Sequence, residues 1–227
     1  MKKYTFILLL LGAAKAYAQE DTTPDFNTWS SISLGYKANS KLSLELQEQL
    51  RLKENSQTID SYFTQLSAEY EPLKNFELGL GLRFQKNNDN KGKIQGYERR
   101  FRYNIDAAYG YKLGRVSLKH RIRYQNRNDL DEDDSLPVQA FRFKTGADYN
   151  ISNWKLDPEI TAELFYPINN PEKSGLSKYR LTLGTDYKMG DFGKLKAFYR
   201  IERPGKLETD SANILGIGYS YTLKNKK

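Results

Sequence analysis

The 227-residue chain is predicted to fold as an all-β, antiparallel up-and-down transmembrane β-barrel of about ten to twelve strands. Long segments alternate apolar and polar residues, aromatic rings gather at both ends of the apolar phase, and the connections alternate between short and long. Together these are the pattern of a wall wetted by lipid on one face and by water or ions on the other.

Met1 to Ala18 reads as a secretory signal peptide: Lys2 and Lys3 lead, Phe6 to Ala14 is apolar, and Ala16-Tyr17-Ala18 is a small-x-small cleavage site. The apolar run is well short of the roughly 20 residues a spanning helix needs. Residues 19–25 form a polar lead, 26–223 the barrel domain and 224–227 a basic tail. No cysteine is present, which excludes disulfides, thiolate metal sites and a cysteine-anchored lipoprotein. Without the signal the chain carries 33 basic and 28 acidic residues, a mild excess that in an exported protein does not point to nucleic acid. Localisation to the outer membrane of a Gram-negative-type bacterium, with outer-membrane lipid as the partner, is the expectation.

Eleven segments carry the period-2 signature, near 26–38, 41–54, 60–71, 76–87, 97–111, 115–127, 138–150, 154–166, 177–188, 194–203 and 213–223. The clearest is 42–52, where leucine takes every even position except Glu48 and every odd position is polar; on a helix these leucines would scatter around the circumference. Short connections are Asn39-Ser40, Pro72 to Asn75, Lys112 to Gly114, Ile151 to Asn153 and Met189 to Gly193. Longer ones cover Asn55 to Asp60, Asn87 to Gly96, Asn128 to Pro137, Pro167 to Leu176 and Pro204 to Ala212. Eleven is an awkward count, because bacterial single-chain barrels normally have an even number of strands. The acidic run Asp129 to Asp134 reads as a solvated loop with no spaced cation-ligand pattern.

With the apolar phase outward, one aromatic belt near the short turns comprises Tyr36, Tyr70, Phe76, Tyr109, Tyr111, Tyr149, Trp154, Tyr187 and Tyr221. The other, near the long loops, comprises Tyr62, Phe84, Phe101, Tyr103, Tyr124, Phe141, Tyr166, Tyr179 and Tyr199. Aliphatic residues such as Leu46, Leu66, Leu80, Ile105 and Ile217 fall between them. Strand preference accounts for abundant tyrosine but not for its placement at both ends.

The opposite phase is sorted by charge. A lumen basic belt toward the long loops comprises Arg51, Arg83, Arg100, Arg102, Arg121, Arg123, Arg142, Lys144, Arg180 and Arg200. Acidic partners toward the short turns are Glu45, Glu69, Glu77, Asp106, Asp148, Asp157, Glu159 and Asp186. Lys119 and Lys196 sit low and Glu163 and Glu202 high, against the sorting. Inward Gly79, Gly81, Gly184, Gly216 and Gly218 leave room for long side chains or mark bends. The pattern supports either a salt-bridged, filled lumen or a basic constriction that attracts small anionic solutes. At this barrel size a filled or nearly filled lumen is favoured.

No catalytic constellation stands out, and the chain is read as a non-enzyme without cofactor or metal. The only histidine, His120, faces outward, as in barrel enzymes that act on lipids; residue 122 is Ile rather than Ser, and Ser117 has inward phase. One histidine and no cysteine leave no usual zinc site. The alternatives are a lipid-modifying barrel enzyme and a soluble periplasmic β-barrel binding protein with the two faces exchanged.

Trp29 shortly after the polar lead, the Leu-Ser-Leu-Glu-Leu run at 42–46, Gln-Leu-Arg-Leu at 49–52 and the Tyr199-Arg200 pair carry a family resemblance. Over about residues 26–223 the chain resembles the uncharacterised Bacteroidetes envelope proteins grouped as "domain of unknown function 2490". The resemblance implies an outer-membrane barrel with no settled activity and carries over no catalytic residue.

Overall fold

The computed structural model describes residues 23–89, 96–132, 135–152, 154–169, 175–205 and 210–224. The signal at 1–18, most of the polar lead, Asp133 and Asp134 of the acidic run, and the tail beyond Lys224 lie outside the described residues. Among the described residues there are eleven strands: β1 Asp25–Lys37, β2 Leu42–Lys53, β3 Thr58–Leu73, β4 Phe76–Asp89, β5 Gly96–Leu113, β6 Val116–Asp129, β7 Val138–Tyr149, β8 Leu156–Pro167, β9 Lys178–Lys188, β10 Lys194–Pro204 and β11 Ala212–Lys224. Every alternating segment of the sequence is a strand. Runs of 11 to 18 residues match the roughly 9–11 tilted residues that cross a bilayer, with a margin at each rim.

Sequential strands pair antiparallel and the sheet closes on itself. An odd number of alternating strands leaves the first and last pointing the same way. β1 and β11 therefore pair in parallel, in register from Asp25↔Ala212 to Lys37↔Lys224. An even count is thus not needed for closure. The geometric cost is one parallel ladder, slightly weaker per residue than an antiparallel one, and it runs the full length of both strands. From Trp29, hydrogen-bonded partners lead around the wall to Glu98 on β5 in one direction and to Lys112 on the same strand in the other. That stagger is the strand tilt that closure requires.

The wall is apolar outside and polar inside. Ile217 is 57% exposed and Leu66 50%, whereas Phe63 is 2% exposed and Ile214 1%. Arg83, Asn104, Arg142, Thr161, Glu163 and Thr182 are all buried, so the interior is largely a packed polar layer. A slip of one residue would exchange the two faces of a strand, so the alternation itself holds the register.

The β2–β3 connection is tighter than the sequence suggests. The Asn55–Asp60 loop contracts to a turn in which Glu54, Asn55 and Ser56 have φ near 56°, 56° and 64°. The Asp25 carboxylate accepts hydrogen bonds from the Glu54 and Asn55 backbone N–H groups at 2.9 and 2.8 Å, tying this left-handed turn to the start of β1.

Candidate functional site

Register puts all ten predicted basic residues and all eight predicted acidic residues on the inward phase. The predicted aromatic residues take the outward phase, apart from Trp154, which lies just ahead of β8 and is 54% exposed. Outward rings touch across strands: Phe84–Phe101 centroids are 4.9 Å apart, Tyr62–Tyr97 5.6 Å and Tyr124–Phe141 5.8 Å.

Toward the long loops the lumen holds a belt of guanidinium groups stacked on rings. Arg51 lies 3.9 Å over Trp29, and Arg200 and Arg180 approach the same ring at 5.0 and 5.6 Å. Arg83 lies 3.4 Å over Phe63, while Arg142 and Arg180 lie 4.4 and 4.6 Å over Phe165. These contacts join residues from β1, β2, β3, β4, β7, β8, β9 and β10 into one layer. Planar, weakly hydrated guanidinium stacks on aromatic faces, so arginine suits this layer better than lysine would. Of the inward rings Trp29, Phe63, Phe165 and Phe198, the sequence marks Trp29 alone, and only as part of the family resemblance. Their signal is an aromatic residue in the polar phase; Phe165 and Phe198 also have a charge two positions away, Glu163 for the first and Lys196 and Arg200 for the second, whereas Trp29 and Phe63 do not.

Glycine makes this packing possible. A Cβ on Gly216 would stand 2.0 Å from the Phe198 ring, and one on Gly81 would stand 2.7 Å from the Asn104 side chain. At these two positions the glycines make room for large inward groups.

The belt's countercharge comes from the two carboxylates that broke the sorting. Buried Glu163 is 2.8 Å from both Arg121 and Arg142 and 3.8 Å from Arg180. Glu202 pairs with Lys178 at 3.1 Å and with Arg180. Of the predicted acidic partners only Asp106 meets a belt arginine, Arg123, through two hydrogen bonds of 2.5 and 2.6 Å. Glu77, Glu159, Asp186 and Asp157 pair instead with the lysines Lys119, Lys196, Lys194 and Lys188. Among the described residues Glu45, Glu69 and Asp148 form no ion pair. Cross-strand register, which a linear sequence does not carry, sets Glu163 and Glu202 opposite Arg180 and Asp106 opposite Arg123.

Four belt arginines lie beyond ion-pair reach of any described carboxylate. Arg83 donates twice to Gln65, at 2.9 and 2.6 Å; Arg51 donates to Gln49 and Arg200 to Thr182, each at 2.9 Å. The buried Nε of Arg102 has no hydrogen-bond partner among the described residues. Arg83 and Arg102 stand directly opposite each other in register, as do Arg102 and Arg127. Like charges opposite one another are destabilising unless something intervenes.

Toward the short turns the lumen is hollow. A cavity of about 210 Å³ is lined by Lys144, Asp148, Glu69, Glu77, Arg121 and Thr161 among others. A second, of about 450 Å³, shares Asp148 and is walled by Arg115, Asp157, Asp186 and Lys188.

Outside the lumen, His120 Nδ1 is 2.9 Å from the Thr145 hydroxyl, its register partner on β7. Neither Ser117 nor position 122 supplies that contact. Among the described residues no group of three or more His, Cys, Asp or Glu side chains is arranged to hold a metal ion. The acidic run holds the rim together instead. Asp129 pairs with Arg100 at 2.8 Å, and Asp131 accepts hydrogen bonds from both the backbone N–H and the guanidinium of Arg99. Those two bonds hold the Asp131 carboxyl below its ordinary range.

No curated protein matches the chain. Among solved structures it is similar to a loop-L8 deletion mutant of OmpT, an outer membrane protein of Vibrio cholerae, at 12% identity and TM-score 0.42 over 79% of this chain; the chain spans 58% of the length of that relative. A chain solved in work on the in-meso crystallization of membrane proteins is similar at 15% identity and TM-score 0.41, over 85% of this chain and 78% of that one. The trimer form of in-vitro folded OmpT from Vibrio cholerae is similar at 10% identity and TM-score 0.36, over 78% of this chain and 83% of that one. The model of the family described as "Protein of unknown function (DUF2490)" matches residues 26–224, and the chain belongs to that family.

Proposed function

We propose that the chain spans an outer membrane and that its arginine belt binds or passes small anions through a narrow lumen. The single observation that carries this reading is the surplus of guanidinium over carboxylate inside the wall: Arg51, Arg83, Arg102 and Arg200 lack a described carboxylate partner while sharing one layer with Arg142 and Arg180. Uncompensated charge in a lumen of low dielectric attracts counter-ions, and rings of Arg favour anionic solutes. The outer face supports the lipid setting, since large apolar side chains such as Leu66, Leu80 and Ile217 are exposed between two aromatic belts. The predicted signal at 1–18 supports export.

The reading assigns binding or conduction and no chemical step. The test is purified protein in planar bilayers across a potassium chloride gradient. A reversal potential on the chloride side is expected, moving toward zero in the double variant Arg83→Ser, Arg102→Ser. Cation preference, or an unchanged reversal potential in the double variant, would defeat the proposal. A barrel without current is expected to be stabilised by millimolar phosphate through Arg102, and absence of that shift would defeat the binding version.

A further inference from the structure

The cavity at the short-turn end carries three charged groups that internal pairing leaves uncommitted. Lys119 is taken by Glu77, Arg123 by Asp106, Arg121 by Glu163 and Glu159 by Lys196. Lys144, Asp148 and Glu69 line the same 210 Å³ space, and none of the three has an ion pair or hydrogen bond to a described residue. Lys144 and Asp148 occupy the same face of β7 four residues apart, which sets their backbones about 13 Å apart along the strand. Glu69 approaches from β3. One cation and two anions therefore share a preformed hollow with no partners of their own.

A simple anion entering this space would gain Lys144 but meet Asp148 and Glu69. A simple cation would gain the acids but meet Lys144, with Arg121 beside it. Only a solute carrying both signs, separated along its length, answers all three groups at once. Charge-assisted hydrogen bonds in such a partly enclosed site are strong because their geometry is set in advance. The larger cavity shares Asp148 and lies toward the short-turn side.

We infer that this cavity binds a small zwitterion of amino-acid or short-peptide class, its carboxylate on Lys144 and its ammonium between Asp148 and Glu69. The inference concerns the hollow half of the lumen and does not require the arginine belt to conduct or to hold an anion.

The experiment is calorimetric titration of the full chain, folded in detergent micelles, with glycylglycine, acetate and ethylammonium at fixed ionic strength. Glycylglycine is expected to bind about tenfold or more tighter than either singly charged probe, the scale of one additional charge-assisted bond. Lys144→Met and Asp148→Asn should each remove that preference while keeping heat-modifiable migration on a gel; if Lys144→Met does not fold, Lys144→Gln replaces it. Three probes binding alike, or a folded Lys144 variant that retains the preference, overturns the inference. Loss of anion selectivity in bilayers with the glycylglycine preference intact would overturn the belt reading alone.

Discussion

The two halves of the lumen meet one demand, inward charge in a confined space, with different chemistry. Toward the long loops, arginines lie over Trp29, Phe63 and Phe165, and Arg142 and Arg180 share Glu163. Toward the short turns, lysines such as Lys119 and Lys196 meet the carboxylates Glu77 and Glu159, Lys144 stays without an ion pair to a described residue, and cavities remain between them. A guanidinium can be satisfied by a ring face and a neutral amide, so the first half packs closely and keeps a surplus of positive charge. A compact ammonium is more strongly hydrated and is held more often by a carboxylate or water. The arginine-rich half is accordingly the filled one and the lysine-rich half the hollow one.

That contrast breaks first at Glu163. Glu163→Gln leaves Arg121 and Arg142 facing no carboxylate, and a loss of about 3–5 kcal/mol in unfolding free energy is expected for removing one partner from a buried pair. Urea unfolding in lipid vesicles measures it; a loss below about 1 kcal/mol would mean that the belt is not held by this carboxylate. Phe63→Ala comes next. It removes the plate under Arg83 and approached by Arg51, with an expected cost of about 2–3 kcal/mol, below the usual value for a dry core because water can enter the lumen. The same variant should widen the constriction and raise single-channel conductance. Unchanged stability and conductance together would remove the rings from the account.

Much of this arrangement could be read from the residues, and the remainder has identifiable causes. The leucines at 42–52 and the alternation in 76–87 fixed strands and faces, because a two-residue period sustained over a long run fits no other element. The parallel β1–β11 closure followed from an odd count that looked like an error. Phe63 and Phe198 escape notice because aromatic residues in the polar phase read as exceptions, whereas here they belong to the stacking layer. Glu163 and Glu202 run against the vertical sorting, and cross-strand register with Arg180 makes them the belt's countercharges. Leu130 to Glu132 are exposed, in keeping with a solvated loop, and Asp129 and Asp131 are in addition each tied to an arginine near the start of β5.

The hollow half should respond weakly to the same treatment. Lys196→Met removes a pair with Glu159 in which the lysine side chain keeps 37% of its exposure, and a cost under about 1 kcal/mol is expected. The ratio between this loss and that of Glu163→Gln is the sharpest form of the comparison. Equal losses would mean that both halves are equally dry and that the cavities are not solvent-filled.

The smallest effect belongs to the rim, where the contrast between halves ends. Arg99 donates both its guanidinium and its backbone N–H to Asp131, which stabilises the charged carboxylate and depresses its titration. A depressed carboxyl contributes its tether at neutral pH and loses it as pH falls through the folded-state value, so the loop after β6 should loosen only under acid more extreme than an ordinary aspartate requires. Asp131→Asn should give that loosened loop already at pH 7, seen as faster amide exchange around Leu130, whose N–H bonds the Arg99 carbonyl at 2.8 Å. The barrel's unfolding midpoint should not move, because the tether lies outside the closed ladder. A shifted midpoint would mean that the long-loop rim, and not only the lumen, holds the wall shut.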